Sequence, residues 1–352
     1  MPDWTKSMQQ TFEYYTVDPS TWQNIKLLDN VTGATIKRDL SNETLGSATI
    51  NMTGNLDESY VRSYLVTIQN GVKEKHPLGT HLVQTPSIDF DGKIQSGSRD
   101  AYTPLLELKE NPTPIGYYIP KGENIMNKVI SLTKENLRAP VVGCECNKKI
   151  EYDFISNTDD KWITFLSDLA ANAEYSYDID EMGRILFKPI QDIRSLQPIW
   201  TYSDDNSSIL YPEVSVERDL YGIPNVVEVI YSKYGEHFYV VERNDDPNSP
   251  ISTVNRGREI IHRVVDPEIS GIPSEEQVKE YAKTLIRNIS SLEYSVSYTH
   301  AYCPVRLGDC VRLDYPGAGL DGVKVKVISQ SIKCEPGCPV TEKAVFTVKL
   351  WG

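Results

Sequence analysis

Histidine is scarce in this chain. Only five occur in 352 residues, His76, His81, His237, His262 and His300, and none sits in an H-E-x-x-H pattern. A G-x-S-x-G elbow is also missing. The commonest zinc-peptidase and serine-hydrolase arrangements are therefore excluded. Lys/Arg runs and interleaved basic and aromatic residues are absent, and the formal net charge is -13. Stable nucleic-acid binding needs a basic face to neutralise phosphates, so it is not expected. No apolar run reaches the roughly 18 residues of a membrane helix. The first eleven residues lack a basic stretch followed by an apolar one, so no secretory signal is expected. Repeats are not visible, which disfavours solenoids and propellers.

What is abundant is tyrosine, 21 residues against 7 Phe. Tyr buries a ring while keeping a polar tip, which suits half-exposed sheets and protein interfaces. Residues 1–23 are polar and aromatic and read as an N-terminal arm. Strand signals dominate residues 24–118: Ala48–Met52 and Tyr60–Gln69 alternate, and Asn70-Gly71 and Asp91-Gly92 are tight-turn pairs. A proline-rich stretch, with Pro104, Pro112, Pro114 and Pro120, marks a boundary. Residues 119–198 then read as an α+β module with two helices. One places Ile125, Met126, Val129, Ile130, Thr133 and Leu137 on one face and stops before Pro140. The other runs from about Asp159 to Ala173, with Trp162, Phe165, Leu166, Leu169, Ala170 and Ala173 at helical spacing and Thr158 as N-cap. Residues 199–295 form a second strand-rich region with one helix from Ser274 to Ser290, where Ser274 and Gln277 make a capping box. Residues 296–352 are again β. The expected fold class is α+β, mainly β.

Candidate chemistry concentrates in the last fifty residues. Cys303, Cys310, Cys334 and Cys338 are spaced C-x6-C-x23-C-x3-C, with Pro-Gly inside the second pair. Soft thiolates converging on tight turns select zinc or an iron–sulfur cluster. Four buried cysteines acting as small hydrophobes fit the same residues. Cys144 and Cys146 would point to opposite faces of a strand and read as structural. His300 lies three residues from Cys303, but a peptidase dyad needs a helix N-terminus under the cysteine and a third orienting group. Asp159-Asp160, Asp204-Asp205 and Asp245-Asp246 read as solvated turn caps, the last also as a loose calcium candidate. No catalytic residues are assigned.

Three stretches resemble the hub proteins of contractile phage tails and related prophages and tail-like bacteriocins of Gram-positive bacteria. They are Tyr102–Leu106 with Pro114–Tyr117, Ile119–Gly122, Ile125-Met126 and Leu137–Pro140; Ser203–Asn206 with Tyr221–Val227; and Leu307–Asp309 before Val311–Leu313. The resemblance spans about residues 35–350. It implies two tube-like antiparallel β-barrel domains joined by smaller α+β modules. It further implies a homotrimer whose pseudo-sixfold ring adapts a hexameric tail tube to a trimeric central spike, with the tape measure and other baseplate proteins as partners. Such a protein is not an enzyme. It is assembled in the bacterial host cytoplasm and resides in the virion tail. An acidic channel would let DNA pass without sticking. The four cysteines are similar to a set near the C-terminus of tip hubs in some non-contractile tails, which implies a four-iron cluster, with zinc or no metal as alternatives. A peptidoglycan hydrolase associated with the hub and a glycan- or receptor-binding fibre module are the other functions considered.

Overall fold

The computed structural model describes residues 2–191, 193–206, 208–218, 221–233, 235–267, 273–289 and 291–349. Strands hold 46% and helices 16%, which makes the fold α+β and mainly β, as expected. The chain divides into two compact units: residues 1–214 with 297–344, and residues 215–296 with 345–352.

The first unit begins with β1 (Gln9–Val17), β2 (Asn24–Leu28), β3 (Val31–Asp39), β4 (Gly46–Thr53), β5 (Tyr60–Gln69), β6 (Val72–Pro86), β7 (Asp89–Phe90) and β8 (Gln95–Tyr102). Residues 9–17, read from the sequence as part of an arm, pair along the whole of β5. Trp4 and Trp22, in the same stretch, are buried. The Asn70-Gly71 turn joins β5 to β6 with both residues at positive φ, 51° and 78°. Two left-handed residues match the twist of a tight hairpin, and Asn and Gly accept that conformation most easily. In β4 the expected alternation buries Ala48, Ile50 and Met52. β5 departs from alternation: Tyr60 to Thr67 are buried on both faces.

The small module carries α1 (Leu106–Glu110), β9 (Tyr118–Ile119), α2 (Ile125–Asn136), β10 (Phe154–Ile155), α3 (Trp162–Asn172), β11 (Tyr175–Ile179) and β12 (Ile185–Pro189). α1 lies inside the proline-rich stretch expected to be a boundary. The stripes of α2 and α3 form one core, with Met126, Val129, Phe165, Leu166 and Leu169 nearly inaccessible. Each such side chain contributes about 1.5–3 kcal/mol of apolar transfer. α2 is capped by Asn124, whose side chain accepts from the Asn127 amide at 2.9 Å. Thr158 is not the cap of α3. The N-cap position is Lys161, with no side-chain bond. Asp160 instead closes a turn by accepting from the Asn157 amide at 2.7 Å.

The rest comprises β13 (Trp200–Ser203), β14 (Leu210–Arg218), β15 (Val226–Tyr231), β16 (Phe238–Arg243), α4 (Thr253–Arg256), β17 (Ile261–Val265), α5 (Glu275–Ile289), β18 (Ser291–Ala301), β19 (Cys310–Tyr315), β20 (Leu320–Lys333) and β21 (Pro339–Lys349). The large sheet runs β14–β18–β21–β20–β3–β4–β8–β6–β5–β1–β2, with β13 and β19 branching from β20 and β7 from β8. Its hydrogen-bonded path has free ends at β14 and β2 among the described residues.

In the second unit β15 pairs antiparallel with β16 and parallel with β17, because the chain crosses over through α4 before returning. α5 covers this small sheet with Val278, Ala282 and Ile286, packed with Val227, Val229, Tyr231 and Val240. Its capping box forms as expected. The Ser274 amide donates to Gln277 Oε1 at 2.8 Å, and the Gln277 amide donates to Ser274 Oγ at 3.4 Å. Ser274→Ala is expected to lower the stability of this unit by about 1 kcal/mol, read by chemical denaturation. The expected final turn at Ser290 lies outside the described residues.

Candidate functional site

The C-terminal strands of the first unit build a buried polar network around His300. β18 carries His300 and Tyr298, β13 carries Tyr202, and β21 carries Glu342. All four are at most 2% exposed. Glu342 Oε2 accepts from the Tyr298 hydroxyl at 2.7 Å. Its Oε1 accepts from Gln330 Nε2 at 2.6 Å and lies 3.4 Å from His300 Nε2. The Tyr202 hydroxyl lies 3.0 Å from His300 Nε2 and 3.2 Å from Cys303 Sγ. Burial opposes a charge on His300. The neighbouring Cys303 and Glu342 side chains outweigh it and hold the imidazole up to about 10. Buried, ionised and fully partnered, this group is a structural staple.

Cys303, His300 and Glu342 have the order of a nucleophile, a base and an orienting acid. Their geometry argues against that use. His300 Nδ1 is 3.9 Å from Cys303 Sγ and is instead bonded to the Ala301 carbonyl oxygen at 2.7 Å. A carbonyl only accepts, so Nδ1 carries its proton and has no lone pair for the thiol. Cys303 is 2% exposed, so its thiol is shut off from solvent.

The four candidate metal ligands are distributed unequally. Cys334 follows β20, and Cys338, at φ 41°, precedes β21. The two thiols lie close enough to act on each other, and the buried Tyr14 hydroxyl lies beside Cys334. Burial pushes Cys334 up to about 12 and raises Cys338 as well. Cys303 belongs to the His300 network. Cys310 starts β19, its Sγ 3.9 Å from the Val311 carbonyl oxygen. Among the described residues no three His, Cys, Asp or Glu side chains converge as metal ligands. Cys144 and Cys146 pack against the core of the small module.

A second constellation, which sequence reasoning missed, ties the small module to the strands of the same unit. The β11–β12 turn is pressed against the sheet at Gly183, where a Cβ would stand 2.7 Å from Thr80 Cβ and 3.1 Å from Trp22 Cζ2. Its Met182 carbonyl oxygen accepts from Trp22 Nε1 at 2.7 Å and from Arg62 Nη2 at 3.1 Å. Arg62, 1% exposed, also donates to the Trp22 carbonyl, Asn24 Oδ1 and Thr80 Oγ1. On the turn's flank Arg306 pairs with Glu181 at 3.0 Å and Asp178 at 3.3 Å, and Arg38 reaches Glu181 at 3.4 Å. The isolated Arg62 in a hydrophobic run was the available signal, since an arginine there must find buried acceptors.

The remaining candidates resolve as turn chemistry and packing. Asp246 accepts from the Asn248 amide at 2.8 Å, as expected of a cap. His81 is buried and its charge is disfavoured, down to about 3. Trp4, Trp22 and Trp162 are buried and offer no sugar platform; Trp351 lies outside the described residues.

The fold, a large, mainly antiparallel sheet with small α+β elements, is similar to that of solved phage tail proteins. The chain is similar to a tail protein of Neisseria meningitidis MC58, at 11% identity and TM-score 0.61, over 97% of this chain and 98% of that one. It is similar to the 43 kDa tail protein of prophage MuSo2 from Shewanella oneidensis, at 11% identity and TM-score 0.62, over 95% and 98%. A third likeness is to the E. coli c3393 protein, described as a type VI secretion component resembling the T4 tail proteins gp27 and gp5. There the identity is 9% and the TM-score 0.51, over 92% of this chain and 75% of that one. No family model matches the sequence, and no curated protein does.

Proposed function

We propose that this protein is a non-enzymatic hub at the tip of a phage or phage-tail-like particle. The observation that carries the reading is the end-to-end fold likeness to solved phage tail proteins. The buried network around His300 supports it, because its polar groups are spent on one another. In this role three copies form a ring. One face of the ring receives the hexameric tail tube and the other the trimeric spike, and the ring nucleates tail assembly in the host cytoplasm. The tape measure and other baseplate proteins are further partners. Size-exclusion chromatography with light scattering, on the protein alone and with co-expressed spike, is expected to give a trimer. A monomer that binds neither spike nor tube protein would sink the reading, and lysis zones in peptidoglycan zymography would favour a hydrolase. A metal held by Cys303, Cys310, Cys334 and Cys338 has its own test. Stoichiometric iron or zinc in anaerobically purified protein would establish it, and metal-free protein would remove it.

A further inference from the structure

Residues 86–96 form an arm that is exposed on both faces. β7 and the start of β8 make its two sides. Asp91 shapes its tip by accepting from the Lys93 and Ile94 amides at 2.9 Å. Ile88, Phe90 and Ile94 stand 47%, 66% and 55% exposed on it. An apolar side chain standing singly in water is ordinary, but three on one short hairpin mark a contact surface.

The arm is set rigidly at its root. Arg99 is fully buried there and donates to the carbonyl oxygens of Ser87 at 2.8 Å, Ser98 at 3.1 Å and Gly54 at 2.8 Å. Gly97 admits the close approach of the two sides, since a Cβ would stand 1.9 Å from the Ser87 oxygen. An arm fixed in this way loses little entropy on docking.

Two free strand edges match each other. Among the described residues β7 pairs only with β8, and β2 pairs only with β1. β2 presents Ile25 and Leu27, 65% and 46% exposed, on either side of Lys26. The arm presents Ile88 and Phe90 on either side of Asp89. A free edge with exposed apolar side chains is a template for another strand. Two β2 edges would set Lys26 against Lys26, and two arms Asp89 against Asp89. Only arm against β2 sets Asp89 against Lys26 and apolar against apolar, in either strand direction.

We propose that the arm of one copy pairs edge to edge with β2 of a second copy. The contact is head to tail, the type of contact that builds a ring when the rotation between copies is cyclic. The inference rests on the ring-forming hub reading and names the surface that makes the ring.

The full-length chain, alone and with the spike, is followed by sedimentation velocity over a concentration series. Lys26→Glu and Asp89→Lys are each expected to weaken self-association about tenfold, and the double exchange to restore it. Phe90→Ser is expected to weaken it as well. All these side chains are exposed, so circular dichroism should not change. An oligomer indifferent to every variant would overturn this contact and leave the hub reading standing. Weakening without rescue by the double exchange would overturn the Lys26–Asp89 match. A wild-type chain that stays monomeric, alone and with the spike, would overturn both.

Discussion

Glu342→Ala is expected to destabilise the first unit by about 3–5 kcal/mol. The carboxylate is fully buried and holds the Tyr298 hydroxyl, the Gln330 amide and the His300 imidazolium together. Removing it strands a buried positive charge and leaves a hydroxyl and an amide without their acceptor, and each orphan adds its own desolvation cost. Pairing Glu342→Leu with His300→Phe should recover part of the loss, because the uncompensated charge leaves with its partner. Calorimetric unfolding of the single and double variants measures both effects. A single variant as stable as wild type would show that the network does not hold the sheet.

The same network sets a pH dependence whose sign follows from His300. Its folded value is raised from the ordinary 6.5 to about 10. The folded state therefore binds the proton more tightly than the unfolded chain does. The resulting stability is fully present below about pH 6.5 and is lost as pH rises through about 10. Melting temperature should fall across that window in the wild type and lose this component in His300→Phe. A flat alkaline profile in the wild type would contradict an imidazolium at this place.

The second large effect concerns Arg62. Arg62→Met is expected to cost about 2–4 kcal/mol and to loosen the β11–β12 turn specifically. Methionine fills much of the volume but supplies no donors, so the carbonyls of Trp22 and Met182, the Asn24 side chain and the Thr80 hydroxyl lose their bonds to the guanidinium. Lysine should not restore the wild-type state, since one ammonium cannot reproduce a planar fork serving several fixed acceptors. Hydrogen exchange localises the result. Faster exchange in residues 175–189 with slow exchange kept in β15 and β16 is the expected pattern. Uniform acceleration throughout the chain would argue that Arg62 supports the fold generally and not the turn.

In the proposed hub role, function rests on how strands are held and which edges stay free. That agrees with what its side chains do. The titratable groups nearest to a catalytic pattern, Cys303, His300 and Glu342, are satisfied by hydroxyl, amide and carbonyl partners and shut away from solvent. Of the tryptophans that would serve a glycan-binding module, Trp4 and Trp22 are packed inside, Trp200 is half-buried and Trp351 lies outside the described residues. The arm and β2 leave apolar, edge-like surface open to a partner.

Local structure was written in the sequence wherever a few neighbouring residues decide it. Asn70-Gly71 tolerates positive φ, so the β5–β6 hairpin was fixed by two residues. Ser274 and Gln277 satisfy each other's amides, so the start of α5 needed nothing from outside. The stripes of α2 and α3 followed from helical spacing, and the mainly β class from alternation and turn pairs. Tertiary structure decided what depends on residues far apart in the chain. Thr158 is not the cap of α3, which starts after Lys161, and Asp160 closes the preceding turn on the Asn157 amide. β5 was buried on both faces, which alternation does not announce, because the small module's turn closes on it through Arg62. The four cysteines look like one set by spacing, yet Cys303 lies just after β18 beside Tyr202, Cys310 opens β19, and Cys334 and Cys338 flank the β20–β21 turn. Spacing along a chain measures contour length, whereas convergence on a point is set by sheet order, and sheet order is written in pairings hundreds of residues apart.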